Sequence, residues 1–159
     1  MKEKLKRAYM KTAETFAELS HARRLHVGAI VVKDDRIISI GYNGMPAGWD
    51  NNCEDRVYAN EWSIDNNHWD YQEEDGTCYN LKTRPEVLHA ETNAIAKLAR
   101  SNESGMDADI FITHAPCLDC AKLIYQSGIK RVWYGAQYRD STGTEFLRKS
   151  GVEVEQINE

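Results

Sequence analysis

The chain has 159 residues, 42% hydrophobic content and a net charge of −5, which suits one compact domain spanning 1–159 and is too short for two. No apolar run approaches the roughly 20 residues of a membrane span, and the first stretch lacks the continuous apolar core of a signal peptide. The acidic balance argues against a nucleic-acid polymer as partner, so a small ligand met in the cytoplasm is expected.

Apolar residues at helical spacing from Leu5 to Ala17 predict an amphipathic helix over 2–19. Two β-branched runs, 27–33 and 36–42, flank Asp34 and Asp35 and predict a hairpin. From 44 to 86 the periodicity is lost in a stretch rich in Asn, Asp, Glu and Trp, with at most a short helix over 54–62. So long an irregular insertion is usually functional or mobile. Helices over 89–100, 117–127 and 143–149 then alternate with strands over 109–113, 131–134 and 153–156, and Gly128 stops the second of these helices. A hairpin followed by this alternation predicts an α/β fold of three layers, α/β/α, around a central mixed sheet of about five strands.

Two helix starts carry side chains that a buried helix does not need. "LHAETNAIAKLA" opens with His89 and Glu91, and "APCLDCAKLIYQSGI" places Cys117 and Cys120 three apart, on the same side of a first turn, after Pro116. The four cysteines are not read as a disulfide scaffold, because a reducing compartment keeps thiols free. One imidazole and two thiolates at two helix N-termini suit Zn2+ with a fourth position open to water, and Glu91 then serves as a general acid and base without binding the metal. Three plainer readings stand beside this one. Cys117 and Cys120 could be a redox pair, His114 could close a structural zinc site, and His89 alone could be a capping or core residue.

The joint pattern resembles the cytidine deaminase superfamily, for which His-x-Glu with Pro-Cys-x-x-Cys is the known signature. Those motifs would also fit tRNA adenosine deaminase, guanine deaminase or the deaminase of riboflavin synthesis. "VGAIVVKDDRIISIGYNGMPAG" is similar to the deoxycytidylate (dCMP) deaminase pattern and narrows the resemblance to that family. It implies a cytidine deaminase-like fold and hydrolytic deamination of dCMP to dUMP and ammonia by a zinc-activated water, supplying dUMP for thymidylate synthesis. By motif it assigns zinc to His89, Cys117 and Cys120, and proton transfer to Glu91. It assigns the deoxyribose contact to Asn43, base contacts to the backbone at Ala90, Ala115 and Pro116, and a nucleotide contact to Tyr138. It also implies a homo-oligomer, often a hexamer, activated by dCTP and inhibited by dTTP. The effector region would include Gly44, Met45, Pro46 and Gly48, and a triphosphate effector would bring Mg2+. Met45, Trp49 and Trp62 could instead pack a core or a subunit contact.

A phosphate brings about two negative charges to an acidic chain, so local cations must hold it. Arg23, Arg24 and His26 before the first strand, and Arg139 after Tyr138, are the candidates, each with the alternative of a solvated surface charge. Here the segment departs from the commoner family pattern, which is richer in Lys, Ser and Thr. Cys53 and Cys78, with His68 between them and His21 upstream, lack tight ligand spacing, so ordinary thiols are expected rather than a second, structural zinc. Two other functions stay open: another zinc deaminase acting on a base, nucleoside or RNA adenosine, and a non-catalytic zinc-binding regulator of the same fold.

Overall fold

In the computed structural model, which describes residues 1–59 and 68–158, the elements in chain order are α1 (Glu3–Ala17), β1 (Gly28–Lys33), β2 (Arg36–Tyr42), β3 (Glu54–Tyr58), β4 (Tyr71–Gln72), β5 (Cys78–Thr83), α2 (Ala90–Ala99), β6 (Asp109–His114), α3 (Leu118–Gln126), β7 (Arg131–Ala136), α4 (Thr142–Lys149) and β8 (Glu153–Gln156). Period-two alternation sorts the central strands' side chains into two cores. Ala29, Val31, Ile110, Ile112 and Val132 face one way and join Ala90, Ala94, Ala121, Ile124 and Leu147 from α2, α3 and α4. Ile30, Val32, Phe111 and Trp133 face the other way, against Met10 and Ala13 of α1. Burying each large apolar side chain contributes about 1.5–3 kcal/mol, and β1 and β6, buried on both faces, collect that gain twice.

The main sheet has the order β2-β1-β6-β7-β8. β1 runs antiparallel to β2 and β6, whereas β6, β7 and β8 are parallel. Parallel neighbours need a crossover, which α3 and α4 supply. The expected mixed sheet of five strands between helical layers is therefore present. Asp34 and Asp35, both with positive φ, make the tight hairpin turn between β1 and β2. Among the described residues no helix is long and apolar enough to cross a membrane.

The 44–86 stretch differs from its sequence reading. It holds a second antiparallel sheet in the order β3-β5-β4, and 54–58 is a strand rather than part of a helix; residues 60–62 of that expected helix lie outside the described residues. β3 pairs with β5, more than twenty residues downstream, and buries only Glu54, so no local apolar period announces it.

Two close approaches seat the helices that carry the site. At Gly41 a Cβ would overlap the Ala90 carbonyl oxygen and lie 2.6 Å from the Ala94 nitrogen, so α2 rests directly on β2. Ser39 Oγ donates to the Ala94 carbonyl, and Asn93 Nδ2 and Lys97 Nζ donate to the Tyr42 and Ile40 carbonyls, which fixes the helix along the strand. At Gly143 a Cβ would overlap the Pro116 carbonyl oxygen, so α4 starts against the loop that leads into α3.

Candidate active site

His89 and Cys117 are the N-caps of α2 and α3, both extended, and neither side chain caps its own helix. Left free by the backbone, they meet. His89 Nδ1 lies 3.3 Å from Cys120 Sγ and 3.6 Å from Cys117 Sγ, and the three donor atoms all fall within 4.8 Å of one another. No other such cluster occurs among the described residues. Zinc bonds of about 2.0 Å to nitrogen and 2.3 Å to sulfur set a tetrahedral nitrogen-to-sulfur edge of about 3.5 Å. The two observed separations fit that edge, and a borderline-soft N, S, S donor set is the chemistry that zinc selects.

The two sulfurs divide one charge between them. Hydrogen bonds from the Cys120 thiol and from His89 hold the Cys117 thiol down to about 4, while donation to Cys117 and burial push Cys120 up. The bond to Cys117 raises His89. A dication among the three would deprotonate both thiols, because its charge outweighs their mutual repulsion. Thr92 Oγ1 stands 3.7 Å from Cys120 Sγ, in position to donate to a thiolate there.

Glu91 lies in the first turn of α2, only 4% exposed, and burial pushes its carboxyl up. With His89, Cys117 and Ala90 it lines a cavity of about 680 Å³. Of the other residues picked out in the sequence, Asn43, Ala115, Tyr138, Arg24 and Arg139 also line it. Asn43 is fixed by its neighbours: Oδ1 accepts from the Val27 nitrogen at 2.9 Å and Nδ2 donates to the Leu25 carbonyl at 2.8 Å. One amide hydrogen and one lone pair remain for a ligand. Arg24 Nη1 donates to Thr83 Oγ1 at 3.2 Å, and both Arg24 and Arg139 line the cavity.

Four groups of candidates sit elsewhere. Arg23 is not a cavity residue: its guanidinium donates to Asn52 Oδ1 and the Glu54 carbonyl, beside the Glu54 carboxylate. His26 places Nε2 2.6 Å from the Ala22 carbonyl oxygen and lines a separate cavity beneath α1. Pro116 is buried and does not line the cavity, with its carbonyl against Gly143. Gly44, Met45, Pro46 and Gly48 do not line the cavity, although Gly44 bridges to Leu88, the residue before His89. His114 lines the cavity outside the donor cluster, with Nδ1 2.9 Å from Thr113 Oγ1, and burial pushes its pKa down. Cys53 and Cys78 are free thiols outside any metal-binding group of the described residues.

Sequence reasoning missed the wall that the second sheet contributes, Asp70, Tyr71, Asn80, Leu81 and Thr83, and also Gln137. No local pattern marks these residues. The residues from 70 to 83 reach the cavity only because β5 pairs with β3 and β4, whereas Gln137 follows β7 of the main sheet.

The family of the cytidine and deoxycytidylate deaminase zinc-binding region matches residues 3–136. The chain belongs to this family. Among its relatives is the deoxycytidylate deaminase of Enterobacteria phage T2, 36% identical in a match that covers 80% of this chain and 79% of that one. A solved dCMP deaminase from the cyanophage S-TIM5, in complex with dCMP and dUMP, superposes with a TM-score of 0.80 at 43% identity and covers 99% of both chains. A deaminase that edits A to I at the wobble position of transfer RNA shares the fold at a TM-score of 0.57 and 21% identity, over 96% of this chain and 98% of that one. The family binds zinc, and His89, Cys117 and Cys120 form a donor cluster that suits this metal.

Proposed function

We propose that this member of the deaminase family hydrolyses dCMP to dUMP and ammonia. The observation that carries the reading is the placement of Glu91, buried beside the His89, Cys117 and Cys120 donors, at a cavity that also presents two arginines. A zinc ion held by those three donors supplies the Lewis acidity that brings deprotonation of a water near neutral pH.

The remaining steps belong to the chain. Water adds at C4 of the cytosine ring, the C4–N bond breaks, and ammonia leaves. Glu91 accepts the proton of the attacking water, passes it to the ring N3, and assists protonation of the departing amine. The backbone at Ala90 and Ala115 borders the base. The hydrogen and lone pair left on Asn43 meet the deoxyribose, and the Tyr138 ring contacts the nucleotide. Arg24 and Arg139 take the phosphate, Arg24 steadied by Thr83. Arg23 and His26 are left out of this clamp, because both are engaged elsewhere.

The same reading makes the chain one domain with a 44–86 insertion and an oligomer of identical copies. It also makes the enzyme subject to dCTP activation and dTTP inhibition through the Gly44–Gly48 region, with Mg2+ accompanying the triphosphate. Support comes from the Gly44–Leu88 bridge, which joins that region to the residue preceding His89. The four free thiols fit the cytoplasm. Ammonia release is measured with dCMP, deoxycytidine, cytidine and dCTP, each with and without dCTP or dTTP effector. Turnover selective for dCMP is expected. Activity confined to unphosphorylated substrates would overturn the substrate, and an unchanged rate and melting temperature at millimolar dTTP would overturn the regulation.

A further inference from the structure

Glu54 is the most conspicuous charged group outside the donor cluster. It opens β3 and is 1% exposed. Burying a carboxylate costs stability unless partners replace water, and here they do. The Arg23 backbone N–H donates to both carboxylate oxygens, at 2.7 and 3.0 Å, and Arg23 Nε stands 3.6 Å from Oε2. The Arg23 guanidinium closes the clasp on Asn52 Oδ1 at 2.8 Å and on the Glu54 carbonyl at 3.1 Å.

The clasp grips the segment between α1 and β1, which belongs to neither a helix nor a strand. The next two residues of that segment, Arg24 and Leu25, line the substrate cavity. Across the second sheet Glu54 pairs in register with Thr83, whose hydroxyl accepts from Arg24 Nη1 at 3.2 Å. One cross-strand pair therefore holds two successive residues, Glu54 by the backbone of Arg23 and Thr83 by the side chain of Arg24. An arginine whose guanidinium is already held, and whose neighbour in the chain is clasped by its backbone, loses less freedom when it meets an anion.

We propose that Glu54 is a positioning residue for substrate selection: through the Arg23 clasp it fixes Arg24 at the cavity, so that the second sheet favours a nucleoside monophosphate over the nucleoside. This inference rests on the dCMP reading of the site. Glu54→Gln turns an amide toward the Arg23 N–H and removes the charge beside its guanidinium. Misplacing one charge-assisted contact is read as a rise of about tenfold in KM for dCMP, with kcat within about twofold of the parent. The kcat/KM for deoxycytidine, which has no phosphate to hold, stays at the parental value. Adding Arg24→Ala to Glu54→Gln costs less than Arg24→Ala alone in the parent, because the two changes act through one contact.

Parallel losses on dCMP and deoxycytidine, or additive effects of the two substitutions, would overturn the proposal while leaving the function intact. If Glu54→Gln does not fold, Arg23→Ala keeps the backbone bonds to Glu54 and releases only the guanidinium. It should raise KM for dCMP by about threefold with the same selectivity, and a parallel loss there overturns the proposal equally. A parent protein that deaminates deoxycytidine but not dCMP overturns the substrate assignment and this inference together, a failure visible before any variant is made.

Discussion

Gly143→Ala tests whether α4 sets the position of a metal ligand. The added Cβ would overlap the Pro116 carbonyl oxygen and lie 2.9 Å from both the carbonyl carbon and oxygen of Cys117. Restoring ordinary contact at about 3.5 Å requires the backbone to move by about half an ångström at Cys117 and by more than about one ångström at the Pro116 oxygen, and the obstacles are backbone atoms that cannot rotate away. Overpacking of this kind costs about 1–3 kcal/mol. For a chain of this size that is a fall of roughly 2–12 °C in Tm. Because the displaced atoms belong to Cys117, zinc should also pass to a chromogenic chelator about 10- to 100-fold faster, the effect expected when support behind a ligand is lost. Gly28→Ala is the matched comparison. Its Cβ would overlap the Ala13 carbonyl oxygen and lie 2.9 Å from the Ala17 nitrogen, on the α1 face of the sheet. It should lower Tm by a similar amount and leave zinc release unchanged. If the two variants release zinc at the same rate, the seating of α4 does not position Cys117 and the reasoning fails.

Glu91→Gln keeps the shape of the side chain but cannot carry a proton, so kcat should fall about 10²- to 10⁴-fold while zinc content by mass spectrometry stays at the parental value. Retained turnover would remove Glu91 from the chemistry. Stripping zinc with a chelator withdraws a ligand that favours the folded state, worth about 4 kcal/mol at a thousandfold excess over Kd. Scanning calorimetry should show the lower Tm and its recovery when zinc is returned. Asp109→Ala deprives Arg131 Nε and the Trp133 indole N–H of their acceptor. Trp133 is 5% exposed, so leaving its N–H unpaired should cost about 1–3 kcal/mol in urea unfolding followed by tryptophan fluorescence; an unchanged midpoint would mean that water replaces the carboxylate.

The main α/β frame was legible because its signals are local. Ala29 to Val32 and Ile110 to Ile112 alternate between two buried faces, Asp34 and Asp35 mark a tight turn, and Gly128, with positive φ, ends the chain's third helix. The donor set was legible for the same reason. Cys117 and Cys120 share one turn, His89 and Glu91 another, and each pair's spacing is fixed by the helix that follows. Meeting of the two pairs was not local. It depends on α2 lying against Gly41 and α4 starting against Pro116, close approaches that exist only once the sheet has formed. The second sheet was least visible, since β3 finds its partner far along the chain and buries a single carboxylate in place of an apolar stripe. The sequence alone thus determined which atoms could bind a metal and carry a proton. Tertiary structure decided which cations share their cavity, bringing Arg24 to Thr83 and drawing Arg23 away to Glu54, because hydrogen-bond partners for long side chains come from strands that sequence spacing does not connect.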